Sequence, residues 1–530
     1  MRLWGRKIGP SKTHEMLEMA RIAPSPAIHF RFPIPLNCQT MKLLQSFKAR
    51  TGEAFGAPLL AHTAEQVAAA AQAAHQAFAS WAASTGAERA ALLDGLAAAL
   101  EADREALVQL ADEETGLGPG RLNGELDRTA FQLRRFAAMA ARGVAFDVLD
   151  DPAVAGAPPV GHPAMVRQRV PLGPVAMFSA SNFPFAFSVL GGDTASALAA
   201  GCPVVVKAHS GHLLLSNRVH GLAQSVLKTL GLPTGLIGMV QGGGRDVGVS
   251  LIRHPAIAAG AFTGSTSGGA ALQAEANARP RPIPFYGELG SINPLFATPE
   301  ILAAKGAELA TLLAGSITLG CGQFCTSPGV VILLKGAEGQ SFVSQLTQAL
   351  AAQNPHAMLT PGMRQAFDAG VDHLVVSGVK PLLHEEGNAE APRPFLAEID
   401  AVHFIAKAEL REEVFGPASL VVWADNMSQV SEVLQAVGGS LTVTLWGADQ
   451  DTPDNQALVR AAMAIAGRVL FAGVPTGVAV TAAQQHGGPW PSSTQPMTTS
   501  VGDAAIERFL RPVALQDAPA WLLSRSGRPC

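Results

Sequence analysis

The sequence predicts an α/β fold in which helices cover both faces of parallel sheets. Residues 171–290 alternate short apolar runs with helical stretches, and residues 291–495 form a second α/β block. Strands that alternate with helices favour parallel sheets, which bind ligands beyond the carboxyl ends of their strands. Lys207, the turn 263–265 and Glu288 fall at or near predicted strand ends. These residues are therefore candidates for ligand binding.

The composition limits the class of protein. The chain has 530 residues, of which 48% are hydrophobic and 15% charged, which is enough for two or three domains and a large core. The net charge of −4 and the lack of a Lys/Arg run argue against a nucleic-acid or polybasic-membrane partner. No apolar run reaches the length of a bilayer span, residues 1–20 lack a secretory pattern, and five cysteines do not make a disulfide framework. We therefore expect a cytoplasmic protein without a membrane partner.

The N-terminal part divides into a leader and helices. Residues 1–45 contain five prolines and no sustained period, so we expect a disordered or mis-started leader, with Met41 as an alternative start. A helix follows, capped by Thr63 with Gln66 three residues on. Its apolar face carries Val67, Ala71, Ala74, Phe78 and Trp81. The leucines between 92 and 110 predict a second helix, and a third is expected near 124–141.

The first α/β block is predicted element by element. Strands are expected at Val175–Phe178, Val204–Lys207, Leu236–Val240, Ala256–Phe262 and Ile283–Leu289. Helices are expected at 185–200, 212–230, 245–253 and 266–278. Two segments near 160–171 and 506–520 alternate weakly and lie outside both blocks.

Cys325 is the candidate nucleophile. It lies in the segment Gly320–Pro328, between Phe324 and Thr326, in a chain with few cysteines. A thiol needs a lowered pKa to ionise at neutral pH, and a helix starting near Thr326 is expected to supply it. The alternatives are a buried structural cysteine, which suits Cys202 better, or half a metal site with Cys321. A second Cys/His pair at metal-ligand spacing is not apparent, so we expect no metal.

Asn182 and Glu288 complete a set that can oxidise an aldehyde through a thioester. Asn182 precedes Phe183 and Pro184 in a turn, where its amide can hold an oxyanion together with the Cys325 N–H; it can also be an ordinary turn asparagine. Glu288 ends an apolar strand, where a carboxylate is costly unless it is used or paired. It is therefore a candidate base for thioester hydrolysis, with a salt-bridged strand end as the alternative.

Other polar residues suit a nucleotide. Lys207 either reaches solvent or holds a ligand hydroxyl or phosphate. The loop 242–244 before Arg245 lets backbone approach a ligand, although it lacks the spacing of a dinucleotide fingerprint. Glu413, before Phe415, is a candidate for gripping ribose hydroxyls or an ordinary loop carboxylate. The histidines have no metal-like pairing, and we expect them to be surface or structural: His209, His212, His254 and His486.

Six motifs in this order resemble the aldehyde dehydrogenase superfamily. They are Asn182–Pro184, Lys207, Phe262–Ser265, Glu288–Gly290, Gly322–Cys325 and Glu413–Pro417. The resemblance covers the chain from about Arg50 onward. It implies a Rossmann-like cofactor domain (46–158 and 172–290), an α/β catalytic domain (291–495) and a small β-strand oligomerisation arm (159–171 and 496–530). It also implies a homodimer or homotetramer acting on a small aldehyde.

A finer likeness is to NADP-dependent α-ketoglutarate semialdehyde (2,5-dioxopentanoate) dehydrogenases. It rests on the segments 181–188, 288–294 and 486–491 and on the C-terminal tail. Ser181 stands where many family members have Trp, and the N-terminal strands of the family are not recognisable before Thr51. The resemblance implies cofactor contacts at Lys207, Ser210, Arg245, Thr263, Gly264, Ser265, Leu289, Glu413 and Phe415.

The cofactor implied is NADP, with NAD less preferred. Ser210 stands where NAD-preferring relatives usually carry a Glu that grips the ribose, and Arg245 matches an arginine that meets the phosphate of NADP. Three other functions stay open. The first is a broad aliphatic, fatty or aromatic aldehyde dehydrogenase, which has the same reaction class but a different substrate range. The second is CoA-acylating oxidation, which would not need Glu288 as a hydrolytic base. The third is a non-catalytic binding protein, which would not need Cys325.

Overall fold

The computed structural model describes residues 42–354, 356–388, 391–475 and 477–523. Most of the predicted leader lies outside these residues. Its last three positions do not belong to a leader, because β1 (Leu43–Phe47) pairs antiparallel with β2 (Ala54–Leu60). The N-terminal strands that the sequence did not reveal are therefore present. Only Leu44 and Ser46 of β1 are buried, so the strand carries too little apolar alternation to be recognised.

Four helices follow the first two strands. They are α1 (Ala64–Ala82), α2 (Gly86–Ala102), α3 (Arg104–Thr115) and α4 (Pro119–Arg142). The predicted capping box of α1 is confirmed, since Thr63 and Gln66 satisfy each other's backbone N–H groups. The single helix expected over 92–110 is wrong: Asp103 leaves the helical region and separates α2 from α3. Apolar spacing continues across the break because both helices pack on the same core.

A three-stranded antiparallel sheet joins distant parts of the chain. Its strands are β3 (Leu149–Asp151), β4 (Met165–Pro171) and, near the C-terminus, β17 (Leu510–Gln516), in the order β17-β4-β3. Both weakly alternating segments of the sequence thus contain strands of one sheet. β3 was not expected, and it lies before the predicted domain boundary at residue 158.

A five-stranded parallel sheet carries the first α/β block. It consists of β5 (Val175–Phe178), β6 (Val204–Lys207), β7 (Ile237–Val240), β8 (Ala259–Thr263) and β9 (Phe285–Glu288), in the order β7-β6-β5-β8-β9. Its helices are α5 (Gly192–Ala200), α6 (Leu213–Thr229), α7 (Asp246–Arg253) and α8 (Thr266–Asn277). The strand order reverses between β5 and β8, which creates the crevice where such sheets bind ligands. The helix expected from residue 185 begins only at Gly192.

A seven-stranded sheet carries the second block, in the order β12-β13-β14-β11-β10-β15-β16, with β12 antiparallel to its neighbour. The strands are β10 (Leu295–Ala297), β11 (Val330–Leu334), β12 (Lys380–His384), β13 (Phe395–Asp400), β14 (Ala418–Ala424), β15 (Ser440–Trp446) and β16 (Ala466–Leu470). The helices are α9 (Pro299–Thr318), α10 (Ala337–Ala351), α11 (Pro361–Val376), α12 (Ala401–Ala406), α13 (Met427–Val437) and α14 (Pro453–Ile465); α15 (Ala520–Leu523) follows β17.

The segment Pro299–Gly322, which contains α9, is long and apolar enough to cross a membrane by length and composition alone. The sequence analysis expected no such segment. Half of its most apolar window is buried, and Leu309, Leu313 and Ile317 pack in the core beneath β10 and β11. An internal core helix meets the same length and composition criteria, so the segment is weak evidence for a membrane span.

Candidate active site

The predicted catalytic residues line one cavity of about 230 Å³. Asn182 follows β5, Glu288 ends β9, and Cys325 comes from the loop between α9 and β11. The cavity is therefore built where the five- and seven-stranded sheets present their strand ends and connecting loops. Predicted cofactor residues line the same cavity: Thr263, Gly264, Ser265, Leu289, Glu413 and Phe415.

Cys325 does not sit at a helix N-terminus. The helix expected near Thr326 is absent, because residues 325–326 form a turn that runs into β11. Loss of hydration in the cavity and the neighbouring Glu288 carboxylate hold the pKa of the Cys325 thiol well above its ordinary value. The expected lowering of the thiol pKa by a helix dipole is therefore wrong. Ionisation of this thiol requires a proton acceptor within reach.

Glu288 is that acceptor by position. Its side chain is buried at the end of β9, and Ser500 donates a hydrogen bond to its Oε2 atom. Burial alone would raise the pKa of the Glu288 carboxyl, but His486 and Ser500 hold it below the ordinary value. Glu288 is thus ionised at neutral pH, as a general base must be.

His486 is a candidate site residue that the sequence analysis missed. It is completely buried, and its Nε2 atom lies 3.5 Å from Cys325 Sγ and 2.9 Å from Glu288 Oε1. Its Nδ1 atom has no hydrogen-bond partner among the described residues. The interpretation of His486 as a surface residue is therefore wrong. Only folding brings position 486 to position 325, and a lone histidine carries no spacing signal.

The same three side chains also have the composition of a metal site. The ligand atoms of Glu288, Cys325 and His486 lie within 4.8 Å of one another, and thiolate, imidazole and carboxylate are all zinc ligands. A cation held there would coordinate the sulfur of the predicted nucleophile and leave it no free lone pair to attack a substrate. The cluster therefore suits proton exchange among its members.

Asn182 lies beside the loop that carries the thiol. Its amide Nδ2 donates to the carbonyl of Gln323 at 2.9 Å, and Arg121 donates to the Asn182 carbonyl at 2.5 Å. The Arg121 guanidinium also packs against the rings of Phe183 and Phe324, 5.0 and 4.6 Å from their centroids. These contacts fix the amide close to the backbone of the nucleophile loop, where an oxyanion donor is required.

Other residues of the cavity wall suit a nucleotide. Thr263 Oγ1 is buried without a hydrogen-bond partner among the described residues, so a bound group can satisfy it. Ser265 caps α8 by accepting from the Gly268 N–H, which leaves a helix N-terminus facing the cavity edge. The Glu413 carboxylate approaches the backbone of Gly290 so closely that a side chain at that glycine would collide with it. This donor set suits ribose and pyrophosphate.

The residues predicted to select the cofactor lie apart from the catalytic cluster. Lys207 ends β6 and Ser210 begins the turn after it, while Arg245 is exposed at the start of α7 without an ion pair in the described chain. Burial lowers the pKa of Lys207. Lys42 was not predicted, but a Cβ on Gly243 would lie only 3.5 Å from its Nζ atom. The glycine loop therefore has a cation at Lys42 as well as at Arg245.

Known proteins resemble this chain over most of its length. The profile described as the aldehyde dehydrogenase family matches residues 39–512. An α-ketoglutaric semialdehyde dehydrogenase 2 of Azospirillum brasilense is 44% identical over 487 residues, 91% of this chain and 92% of its own length. An α-ketoglutaric semialdehyde dehydrogenase of Acinetobacter baylyi is 40% identical over 470 residues, 87% and 88% of the two chains.

Solved structures share the fold. Aldehyde dehydrogenase 21 from Physcomitrella patens, in complex with the reaction product succinate, matches with a TM-score of 0.76 at 20% identity, over 91% of this chain and 96% of its own. PnpE in complex with nicotinamide adenine dinucleotide matches with a TM-score of 0.76 at 24% identity, over 90% of this chain and 95% of its own.

Proposed function

Because the chain belongs to the aldehyde dehydrogenase family, we propose that it oxidises 2,5-dioxopentanoate, the semialdehyde of α-ketoglutarate, to 2-oxoglutarate with NADP. The class of reaction is an aldehyde oxidised to a carboxylic acid with NAD(P). The observation that supports this chemistry is the meeting of Cys325, Glu288 and Asn182 in one cavity. The substrate is proposed from the two relatives at 40–44% identity.

The first half of the reaction forms a thioester. The Cys325 thiol gives its proton to the Glu288–His486 pair and the sulfur adds to the aldehyde carbon, which leaves an oxyanion. Asn182 Nδ2 and the Cys325 N–H hold that oxyanion. A nicotinamide cofactor, which Thr263, Ser265 and Glu413 of the cavity wall would hold, would supply the acceptor for the hydride that leaves this carbon. The aldehyde carbon is then an acyl group on sulfur.

The second half releases the acid. The Glu288–His486 pair first releases the thiol proton to solvent. Glu288, ionised again beside the sulfur, then takes a proton from water, and the hydroxide adds to the thioester carbon. The C–S bond breaks, the leaving sulfur takes the proton from Glu288 and restores the Cys325 thiol, and the carboxylic acid loses its proton to solvent. Aldehyde, NADP⁺ and water thus give carboxylate, NADPH and two protons.

We propose that His486 holds Glu288 and Cys325 in position for these proton transfers. One nitrogen faces both sulfur and carboxylate, so a proton on Nε2 stabilises whichever group is charged. The ring does not bridge the two through separate nitrogens, as the histidine of a hydrolase triad does. His486 therefore positions Glu288 and moderates its charge.

NADP is proposed over NAD on local charge. The 2′-phosphate that distinguishes NADP needs cations and tolerates no carboxylate nearby. Arg245 and Lys42 flank the glycine loop, and Ser210 offers a hydroxyl where a carboxylate would repel. Charge-assisted arginine–phosphate contacts are strong and often bidentate, so the preference should be large.

The test is steady-state NADPH formation by the purified protein. We expect the highest kcat/KM with 2,5-dioxopentanoate and NADP, and weaker oxidation of pentanal, octanal and benzaldehyde. The rings of Phe183, Phe187 and Phe324 cluster at the cavity. This aromatic cluster is the structural feature that would favour a broad range of aliphatic or aromatic substrates. Equal or better rates with the neutral aldehydes would replace the proposed substrate by that range.

A further inference from the structure

One asparagine connects the backbone of the nucleophile loop to the seven-stranded sheet. Asn293 lies in the connection between β9 and β10, and its side chain is completely buried. Its amide Nδ2 atom donates to the carbonyls of Cys325 at 2.8 Å, Ser327 at 3.0 Å and Ser291 at 3.1 Å. The backbone of the predicted nucleophile is therefore held by this side chain.

The amide oxygen of Asn293 faces the sheet. Oδ1 accepts from the Ser291 hydroxyl at 2.8 Å, and from the backbone N–H and the hydroxyl of Thr442, both at 3.2 Å. Thr442 lies on β15, which pairs with β10. An amide turned the other way would set its oxygen against three carbonyls, so the partners fix its orientation. Asn293 thus links β15 to the nucleophile loop.

The backbone conformation restricts which residue can make these contacts. The φ angle of Asn293 is 53°, in the left-handed region that glycine, asparagine and aspartate tolerate better than other residues. Glycine has no side chain, and an ionised aspartate has no hydrogen to donate. Asparagine therefore combines the required backbone angle with both a donor and an acceptor.

Two asparagines hold the loop on either side of the thiol along the chain. Asn182 donates to the carbonyl of Gln323, ahead of Cys325, and Asn293 donates to the carbonyls of Cys325 and Ser327. Among the described residues that line the cavity, Asn182 is present and Asn293 is not. Asn293 can therefore affect the reaction only through the loop that it holds.

We propose that Asn293 is a positioning residue for the nucleophile. Its amide fixes the peptide group that follows Cys325, so that the sulfur stays beside His486 and the Cys325 N–H stays turned to the oxyanion. Without the amide, the carbonyls of Cys325 and Ser327 lose this donor, and the loop turns toward other donors or water. The inference rests on the proposed thioester chemistry and adds the group that aligns its nucleophile.

The experiment measures the first turnover in two variants of Asn293. Asn293→Asp keeps the size of the side chain, Asn293→Gly removes it, and both tolerate the positive φ. With the aldehyde and cofactor that the parent uses best, we expect the first-turnover rate constant at saturation to fall about 100-fold, the cost of a misplacement of about 1 Å. The half-saturating aldehyde concentration and the Kd of the cofactor should each change by less than about 3-fold.

Thr442→Val is the matched control. It removes a buried hydroxyl that donates to the same Oδ1 atom, but the Thr442 N–H and the Ser291 hydroxyl remain as donors there. The bonds from Asn293 to Cys325 and Ser327 are untouched. The control should therefore lower the melting temperature and change the first-turnover rate by less than about 3-fold. An equal rate loss in the control, or a parent-like rate in folded Asn293 variants, would overturn the positioning role.

A uniform defect would also overturn it. If the half-saturating aldehyde concentration and the Kd of the cofactor worsen together with the rate, the role of Asn293 is only structural. A crystal structure of the parent protein needs no variant. A Cys325 carbonyl turned away from Asn293 would refute the proposal even if neither Asn293 variant folds. Preference of the parent for another aldehyde would reject the proposed substrate alone, because the variants are compared on whichever aldehyde the parent uses best.

Discussion

At the residue scale, two cysteines four positions apart have opposite environments. Cys321 is completely buried in a hydrophobic cluster, at a positive φ of 59°, and burial raises the pKa of its thiol to about 12. Cys325 lines the cavity and contacts His486. The spacing alone does not distinguish them, whereas their surroundings do.

Cys325→Ala should lower aldehyde oxidation by at least about a thousand-fold, because the nucleophile is lost. Cys321→Ala should keep most activity, because its thiol faces the core and contacts no reacting group. NADPH formation by both purified variants tests these two expectations, and thermal melts show whether each variant is folded. Comparable activity loss in two folded variants would contradict the assignment of Cys325.

Glu288→Gln should still form the thioester, because His486 remains beside the sulfur to accept the thiol proton, but it should hydrolyse the thioester slowly. General-base catalysis contributes about 100-fold or more, so rapid mixing should show one burst of NADPH followed by little turnover. The amide keeps the size of the side chain, which separates charge from packing. Steady-state turnover within a few-fold of the parent would show that another group activates water.

Arg245→Ala should lower kcat/KM for NADP and leave kcat/KM for NAD nearly unchanged. Loss of a charge-assisted contact to the 2′-phosphate costs about 1.5–3 kcal/mol, or roughly 10- to 150-fold in kcat/KM for NADP. Lys42→Ala should act in the same direction, since its Nζ lies beside the same glycine loop. A parent that prefers NAD, or a variant that loses both cofactors equally, would refute NADP selection by this loop.

At the element scale, the segment after β16 completes the site. Leu289 donates to the carbonyl of Ser492 at 2.9 Å, and Thr494 donates to that of Gly287 at 3.0 Å, so the segment lies along β9. This contact delivers His486 and Ser500 to Glu288. Their position depends on pairing between residues some two hundred positions apart.

Ser500→Ala should move the acid limb of the pH–rate profile. The Ser500 hydroxyl donates to Glu288 and helps to hold the pKa of its carboxyl below the ordinary value. Without that bond the pKa rises, Glu288 is protonated at a higher pH, and hydrolysis falls off sooner as the pH is lowered. The pH dependence of kcat tests this, with Ser500→Thr as the control that keeps the hydroxyl. If the acid limb does not move in Ser500→Ala, Ser500 does not influence the pKa of the catalytic base.

At the scale of the whole molecule, β1 belongs to the folded unit. Leu44 packs into the core, and the Ser46 hydroxyl donates to the buried Glu114 at 2.8 Å. Glu114 in turn accepts from the backbone N–H groups of Leu214 and Leu215 at the start of α6. These hydrogen bonds connect β1 to α3 and α6.

A protein that begins at Met41 should match the full chain in melting temperature and activity, because β1 and its contacts are kept. One that begins at Ala54 should melt at least about 3 °C lower or fail to remain in solution, because it loses the β1–β2 pairing and the burial of Leu44. Thermal melts and NADPH assays of both measure this. A loss at the Met41 start would show that residues before β1 contribute to the folded protein.

The sequence by itself determined the alternation of strands and helices and the strand-end positions of Lys207 and Glu288, because apolar periodicity and turn residues are local signals. It also placed Cys325 and Asn182 as candidates, since their neighbours along the chain are distinctive. It did not reveal the position of His486 beside Cys325 or the break at Asp103. The histidine gains its thiol neighbour only once the two sheets and the segment after β16 have packed together. Tertiary structure therefore decided the electrostatics of the site, because charge interactions act through space and leave no period in the sequence.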